Sequence, residues 1–279
     1  MNQKSYNQEN NLYLIPTPIG NLDDITVRSL NLLKEVDIVL CEDTRVTGSL
    51  LSKYGIKKKL ISCHEYNEDK VKYEVVELLK EGKKIGLVTD QGSPIISDPG
   101  FNVVNEVIKN NLSVIGLPGA TAFVPALISS GIFPSKFLFY GFLNAKDVKQ
   151  VQELKTLQYF PYTLIFYEAP HRIKNTLNNM YQVFGDRKIC LARELSKLYE
   201  EYIRGTISEV ADQVDSIKGE IVLIIEENDN ISNENKLNDL SIEEHYKYYE
   251  DKGYEKKEII KLIAKDRNVN KNEIYKLFI

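Results

Sequence analysis

The stretch that decides the fold is residues 85–100, IGLVTDQGSPIISDPG. Its short apolar start, IGLVT, predicts a buried strand. The strand ends at a cluster of turn-forming residues, DQGSP, and a second such cluster, SDPG, follows shortly after it. Within this stretch, Asp98 is predicted to cap a helix that begins near Pro99, because proline is favoured at the first helical position. Loops at strand ends hold the ligands of α/β proteins, so we expect a ligand site here.

Similar apolar runs recur along the first half of the chain. The predicted strands there are residues 12–15, 37–41, 60–63, 85–88 and 113–117. Helical periodicity lies between them, over 26–35 and 68–80. Strands that alternate with helices predict a mostly parallel sheet with helices on both faces.

The second half has its own set of strands. They are predicted at residues 137–140, 163–167, 189–192 and 221–225, with a further possible strand at 199–206. We therefore expect a mixed sheet with some antiparallel pairs. The predicted organisation is an N-terminal α/β domain (1–117), a second α/β domain (118–227), a linker (228–239) and a small helical C-terminal domain (240–279). The linker is predicted because residues 228–238 are polar and rich in Asn.

Composition narrows the class of protein. The 279 residues are 43% hydrophobic and 27% charged with a net charge of −4, so a nucleic-acid contact would need a local basic patch. Cys41, Cys63 and Cys190 form neither a disulfide framework nor a zinc spacing, and we expect reduced thiols. The first residues lack an apolar targeting segment and no run is long enough to cross a bilayer, so we expect a cytoplasmic protein without membrane contact.

Four loops that follow predicted strands are rich in Gly, Pro and small residues. We name them loop A (16–22), loop B (90–100), loop C (117–122) and loop D (167–172). A single such loop is more often only a turn, but four of them favour a site. The phosphate signatures GxGxxG and GxxxxGK[ST] are absent, which is unfavourable for a dinucleotide dehydrogenase or a P-loop NTPase. The loops therefore predict a nucleotide-like ligand with little phosphate.

Several charged or titratable side chains also follow strands, namely Glu42, Asp43, Arg45, His64, His171 and Arg172. The first three could form a capped, salt-bridged helix start, which is the favoured interpretation, or a charged cluster at a catalytic strand end. For His64, a surface histidine is favoured over catalysis. The pair at 171–172 could continue a helix or bind phosphate.

The motifs taken together resemble the tetrapyrrole methylase family. They are, in order, LIPTPIGNLDDIT, CEDTRVTG, VTDQGSPIISDPG, LPGATA, GFLNAK, IFYEAPHR, LAREL and GEIVLIIE. The resemblance covers about residues 12–226 and continues into the tail. Within the family it is strongest to a member that methylates the ribose 2'-OH of a cytidine in the decoding region of 16S rRNA.

This resemblance implies two α/β domains with S-adenosylmethionine in the cleft between them, a 16S rRNA substrate within the small ribosomal subunit, a homodimer and no metal. The cofactor-binding positions that it implies are Pro16, Pro18, Gly20, Asp90, Gln91, Gly92, Ile95, Thr121, Ala122, Glu168 and Gly205. Gln91 departs from the family pattern, which has a small residue there, and this puts the contacts of loop B in question.

Methyl transfer to a ribose hydroxyl calls for a base or a strong hydrogen-bond acceptor. The candidates are Glu42 and Asp43 first, then His64 and Glu168. Arg45, His171 and Arg172 are expected to position phosphate or to stabilise charge.

The tail, from residue 255 to residue 276, predicts two short amphipathic helices joined by an Asn-Val-Asn turn, a pattern similar to a helix-turn-helix. We favour RNA contact by this tail over a helical cap that only packs. Three other classes are weighed against an rRNA methyltransferase: a methylase of tetrapyrrole precursors, a non-catalytic RNA-binding module and a Rossmann dehydrogenase.

Overall fold

In the computed structural model, the described residues are Gln3, 11–228, 237–238, 240–267 and 269–278. The first sheet comprises β1 (Asn11–Leu14), β2 (Ile38–Cys41), β3 (Lys59–Ser62), β4 (Ile85–Leu87) and β5 (Ser113–Gly116). All its strand pairs are parallel, in the order β3-β2-β4-β1-β5. The carboxyl ends of its strands, and the loops that follow them, therefore meet at one edge.

Helices cover both faces of this sheet. They are α1 (Val27–Glu35), α2 (Thr44–Lys53), α3 (Glu68–Lys80) and α4 (Phe101–Lys109). Val75 of α3 and Val107 of α4 pack in the core on one face, whereas Leu33 of α1 and Leu51 of α2 pack on the other. The central strands β2 and β4 are buried along their whole length, as expected for a sheet covered on both faces.

The second sheet is mixed, which confirms the expectation from the sequence. Its strands are β6 (Phe137–Phe142), β7 (Thr163–Glu168), β8 (Lys188–Arg193), β9 (Glu201–Thr206) and β10 (Ile221–Ile225). The order is β6-β7-β10-β8-β9, in which β6 and β7 are parallel and the remaining pairs are antiparallel. Its helices are α5 (Phe123–Ser129), α6 (Asp147–Leu157), α7 (Ile173–Phe184) and α8 (Ile207–Ala211).

The predicted cap at Asp98 is wrong. Helix α4 begins at Phe101, and the residue before it is Gly100, whose φ of 124° only glycine adopts readily and which offers no side-chain cap. Because loop B continues two residues further than expected, the Asp98 side chain is free of the helix and hydrogen-bonds Thr89 instead.

The C-terminal region is helical, as predicted. It contains α9 (Ile242–Glu250), α10 (Lys256–Asp266) and α11 (Lys271–Lys276), which share a small core. The predicted linker, 228–239, lies for the most part outside the described residues. The three cysteines are buried free thiols. Among the described residues, none of the helices combines the length and the apolar character that a membrane span requires.

A buried polar network joins α9 to the end of α10. The Nε2 atom of His245 lies 3.1 Å from Asp266 Oδ2, and Arg267 Nε donates to His245 Nδ1 at 3.2 Å. Since Nδ1 accepts, the ring proton is on Nε2 and the imidazole is neutral. Burial lowers the pKa of His245, and the charge of Arg267 lowers it further, although Asp266 opposes both.

Acidification is expected to loosen these helices. The pKa of His245 is lowered in the folded protein, so below pH about 6.5 the unfolded chain binds more protons than the folded protein does. The stability that neutral His245 contributes is therefore present above that pH and declines as the pH falls towards the folded pKa. Hydrogen exchange of the α9 and α10 amides, corrected for intrinsic rates, should give a lower free energy of opening at pH 5.5 than at pH 7.5. His245→Phe should remove the difference, and equal protection of the unmodified protein at both pH values would contradict this account.

Candidate functional site

A cavity of about 460 Å³ lies where the carboxyl-end loops of the first sheet face one edge of the second sheet. Loops B, C and D all line it, together with Ile19 of loop A. On the side of the second sheet its wall is formed by Phe142, Leu195 and the start of β10. Four loops that are far apart in sequence therefore converge on one site, as the sequence predicted.

Hydrogen bonds tie loops A, B and C to one another. Thr17 and Gly92 form a two-way backbone bridge, with N···O distances of 2.9 and 3.0 Å, and the Thr17 hydroxyl donates to the carbonyl of Thr89 at 3.1 Å. Ser93 in turn donates its hydroxyl hydrogen to the carbonyl of Ala120 at 3.0 Å. Loop B thus links its two neighbours, and the three loops form one unit along the cavity.

Two glycines make this close packing possible. Gly92 has a φ of +82°, and a Cβ there would lie 3.3 Å from Ile19 Cγ2. A Cβ on Gly119 would lie 2.5 Å from Pro16 Cβ, closer than two such atoms can approach. The glycines of these loops therefore allow neighbouring loops to approach closely, and glycine has the same use where backbone approaches a ligand.

Loop B is strained between Gly92 and Gly100. Ile95 and Ser97 have φ values of 76° and 66°, a region that β-branched residues in particular avoid. The turn reaches the second sheet, where a Cβ on Gly141 would lie 3.2 Å from Ser97 Oγ. Such backbone outliers persist where the surrounding structure holds them, and they cluster at functional sites.

Three carboxylates come together at this strained loop. Asp90 and Asp98 line the cavity, and Glu42, directly after β2, lies close enough for its charge to act on Asp98 and for the charge of Asp90 to raise the pKa of Glu42. Burial raises the pKa of Asp98 to about 6, against the lowering effect of its hydrogen bond with Thr89, and the charges of Glu42 and Asp90 raise it further. Burial is also the main cause that raises the pKa of Glu42 and of Asp90. Asp98 was predicted only as a helix cap, and its place in the cavity was missed.

Asp43 and Arg45 pair with each other at the start of α2. The Asp43 carboxylate accepts the backbone N–H of Arg45 at 2.8 Å and pairs with its guanidinium at 2.6 Å. This guanidinium hydrogen bond is the first cause that holds the pKa of Asp43 well below its usual range. The arrangement is the capped, salt-bridged helix start that the sequence favoured.

Glu168 and Arg172 are likewise paired. The buried carboxylate of Glu168 accepts hydrogen bonds from the Ala169 N–H at 2.7 Å, from Arg172 Nε at 2.9 Å and from the Thr176 hydroxyl at 2.6 Å. All of these partners lie in or just after loop D. Glu168 therefore fixes the shape of that loop, and its oxygens are already occupied by protein donors.

Of the predicted cofactor-binding positions, six line the cavity: Asp90, Gln91, Gly92, Thr121, Ala122 and Glu168. Pro16 and Pro18 are buried beside Ile19, and Gly20 packs against Lys197. Ile95 lies in the strained turn of loop B, next to the lining residue Ile96.

Gly205 is not brought to the cavity. It pairs with Ile189, at the opposite end of β9 from Glu201, which pairs with Arg193 at the cavity edge. Four residues of strand separate Gly205 from that edge, roughly 13 Å. A Cβ there would lie 2.7 Å from Glu209 Oε2. The lack of a side chain at Gly205 therefore leaves room for the Glu209 carboxylate, which forms the capping box of α8.

The two histidines that were predicted as catalytic, His64 and His171, are also not among the cavity-lining residues. His171 is exposed at the start of α7. His64 is half-buried in the loop after β3, close enough for its charge to affect Glu42, and its Nδ1 has no hydrogen-bond partner among the described residues. Within the described part of the chain, no group of three or more His, Cys, Asp or Glu residues could hold a metal ion.

Several lining residues were missed by the sequence analysis. Tyr167 lines the cavity with its hydroxyl hydrogen-bonded to the Thr121 side chain and to the backbone N–H of Phe123. Its place before Glu168 in loop D could have identified it. Ile221 and Val222 reach the cavity because β10 pairs antiparallel with the end of β7, which the sequence pattern does not reveal.

Comparisons with known proteins agree on a family. The family model described as Tetrapyrrole (Corrin/Porphyrin) Methylases matches residues 11–211. Ribosomal RNA small subunit methyltransferase I of Bacillus subtilis (strain 168) is 47% identical over 281 residues, covering 98% of this chain and 96% of its own length. The protein of the same name from Thermotoga maritima is 44% identical over 217 residues, 77% of this chain and 97% of its own length.

The solved structures similar to this one share its fold. The cobalamin biosynthetic enzyme cobalt precorrin-4 methyltransferase superposes with a TM-score of 0.59 at 18% sequence identity, covering 81% of this chain and 98% of that chain. Uroporphyrin-III C-methyltransferase from Thermus thermophilus gives a TM-score of 0.57 at 16% identity, covering 81% and 98%.

Gly119→Ala is expected to push loops A and C apart. The added Cβ would meet Pro16 at 2.5 Å, and overpacking of this kind costs about 1–3 kcal/mol of the free energy of unfolding. Gly116→Ala, three residues earlier, is the matched control because a Cβ there meets nothing within 4 Å. Urea unfolding should show a lower stability for the first variant only. Equal stability of the two variants would argue against the close contact between the loops.

Proposed function

The chain belongs to the tetrapyrrole methylase family and is a methyltransferase, and from that premise we propose that it methylates ribosomal RNA with S-adenosylmethionine as donor. The finer proposal is 2'-O-methylation of a cytidine in the decoding region of 16S rRNA, within the small ribosomal subunit in the cytoplasm. The observation that supports an rRNA substrate is the identity of 47% with a ribosomal RNA small subunit methyltransferase over 98% of this chain. The choice of a cytidine 2'-OH in the decoding region rests on the resemblance of the sequence motifs.

The cavity is suited to this cofactor. Its volume of about 460 Å³ lies within the usual range of ligand pockets, roughly 300–1,000 Å³. Backbone groups of loops B and C can bind the polar edges of a nucleoside, and apolar contact comes from Ile19, Leu195 and Val222. The carboxylates of Asp90 and Asp98 attract a positively charged sulfonium. When bound, the cofactor supplies an activated methyl group at that sulfonium.

The tail offers the basic surface that the overall charge of −4 lacks. Lys257, Lys261 and Lys265 recur every fourth residue along α10, which places them on one face, and all three are exposed. Lys271 and Lys276 of α11 are exposed as well. Lysines bind phosphate groups regardless of sequence, so this face supports the proposed RNA contact.

A methylase of tetrapyrrole precursors is the second candidate. It is favoured by the two similar solved structures, which are a cobalt precorrin-4 methyltransferase and a uroporphyrin-III C-methyltransferase. Their identities to this chain, 16% and 18%, support a common fold and not a common substrate.

The two candidates differ in which molecule receives the methyl group. We would incubate the purified protein with labelled S-adenosylmethionine and small ribosomal subunits from a strain that lacks the enzyme. Nucleoside mass spectrometry should then find the label on 2'-O-methylcytidine of 16S rRNA. Subunits that already carry the modification are the control and should take up no label. Label on uroporphyrinogen III and none on RNA would favour the second candidate.

We also propose that the protein is a homodimer, as the family resemblance implies. The outer face of α5 exposes Val124 and Ile128, 42% and 71% exposed. A groove lined by Val124 and Glu200 places this face beside Leu198 and Tyr199, which are 89% and 71% exposed. An exposed apolar patch of this kind on a soluble protein marks an interaction site.

Light scattering during size exclusion should therefore give twice the mass of the chain. Ile128→Glu places a charge in the patch and should weaken self-association by at least about tenfold. Val148→Glu is the control, since Val148 on α6 is equally exposed, at 73%, and lies outside the patch. A monomeric unmodified protein, or equal loss in both variants, would refute this interface.

A further inference from the structure

We infer that Asp98 accepts the proton of the attacking substrate hydroxyl; this inference rests on the proposed function. In the step, an O–C bond forms between the hydroxyl oxygen and the methyl group while the C–S bond breaks. The electron pair of that bond stays on sulfur, which becomes a neutral thioether. The hydroxyl proton passes to the Asp98 carboxylate, so charge and atoms balance without any further reactant.

The position of Asp98 is the first argument. Asp98 lines the cavity, directly after Ser97, where loop B approaches the second sheet near Gly141. The backbone before it adopts left-handed φ values at Ile95 and Ser97, and the residue that closes the loop, Gly100, has a φ of 124°. The protein thus holds two unfavourable backbone conformations close to this carboxylate, and such outliers cluster at functional sites.

The state of the other carboxylates is the second argument. Asp43 is bound by Arg45, and Glu168 is enclosed by Arg172, Ala169 and Thr176. These protein donors occupy the carboxylate oxygens, so neither group is free to accept a hydrogen bond from a substrate hydroxyl. Glu42 is half-buried near the cavity and is not among its lining residues.

Asp90 is the remaining carboxylate that lines the cavity. It already accepts the backbone N–H of Asp43 at 3.3 Å. Asp98 is the more deeply enclosed of the two, and the negative charges of both Glu42 and Asp90 act on it. Of the two aspartates that line the cavity, Asp98 therefore has the higher proton affinity, and an effective general base has a pKa close to the working pH.

The pH dependence follows from the groups that face Asp98. They are Glu42 after β2, Thr89 and Asp90 after β4, and Tyr167 at the end of β7, while His64 acts on it only through Glu42. Burial raises the pKa of Asp98 to about 6 in the protein without cofactor, and the positive sulfonium should lower it from there. The transfer rate is thus expected to be highest at neutral pH and to fall as the carboxylate becomes protonated.

The test compares Asp98→Asn with Asp98→Glu in single-turnover methyl transfer to small ribosomal subunits. Loss of a general base typically costs about 10²–10⁴ in rate, so Asp98→Asn should be at least about 100-fold slower at pH 7.5. Calorimetry should show that its affinity for S-adenosylmethionine falls by about tenfold at most, because the attraction of one carboxylate to the sulfonium is lost, and this is much less than the fall in rate. Asp98→Glu should retain a fall of the rate in acid, which Asp98→Asn should lack. Asp69→Asn, on the exposed outer side of α3, is the control for loss of one negative charge.

A second readout does not depend on activity. The pKa of Asp98 is raised in the folded protein, so the folded state binds more protons than the unfolded state between pH about 4 and 6. Its carboxylate therefore lowers the free energy of unfolding once the pH is above about 6. Asp98→Asn should melt at a higher temperature than the unmodified protein at pH 8, and the difference should shrink as the pH falls from about 6 to about 4 and vanish below that.

Two results would overturn the inference while leaving the proposed function intact. One is an Asp98→Asn rate within about threefold of the unmodified protein. The other is a fall in acid that persists in Asp98→Asn with the same midpoint. If that variant did not fold, an Asp98→Glu enzyme without any acid-dependent fall would overturn it as well. Failure of the unmodified protein to methylate any RNA would instead refute the proposed function, and with it this inference.

Discussion

The backbone bridge between Thr17 and Gly92 is the interaction on which the site depends. It joins the loop after β1 to the loop after β4, which are adjacent strands in the middle of the first sheet. Ser93 extends the connection to the loop after β5, on the other side of β1. Because parallel strands end at one edge, three short loops can be joined there without a helix or strand of their own. The loops that form this side of the cavity are consequently held together through their backbones, and small residues such as Gly92 and Gly119 stand where two loops approach closely.

The strands were predictable from sequence because each is a short run of β-branched and apolar residues that ends at turn-forming residues, as at Ile85–Leu87. The four loops were predictable for the same reason. Strand order was not, since pairing is decided by packing between distant segments. The position of β10 between β7 and β8 is an example, and it explains why Ile221 and Val222 were missed at the cavity.

The acidic residues show a second limit of sequence reasoning. Glu168 and Asp98 both follow a strand and both stand beside a proline-containing turn, so the sequence gives no reason to treat them differently. Their partners separate them: Arg172, Thr176 and a backbone N–H enclose Glu168, whereas Asp98 faces other carboxylates. The oxygens of Glu168 are occupied by protein donors, whereas a carboxylate placed among like charges, such as Asp98, gains affinity for a proton. Resemblance to a family locates such a residue on the backbone, but only the three-dimensional surroundings fix its chemistry.

The same electrostatics bear on how an acidic chain could act on RNA. Glu42, Asp90 and Asp98 place negative charge at the cavity, where a phosphate group would be repelled but a sulfonium and a neutral ribose hydroxyl would not. The exposed lysines of α10 lie outside this site, on a helix with its own small core around Ile259 and Ile263. Attraction between charges at a protein surface decays within about 10 Å at moderate salt, so separate surfaces can hold opposite charge without cancelling each other. Under the proposed function, the polyanion would be bound by the tail while the acidic cavity receives only the sugar, and a net charge of −4 is then compatible with an RNA substrate.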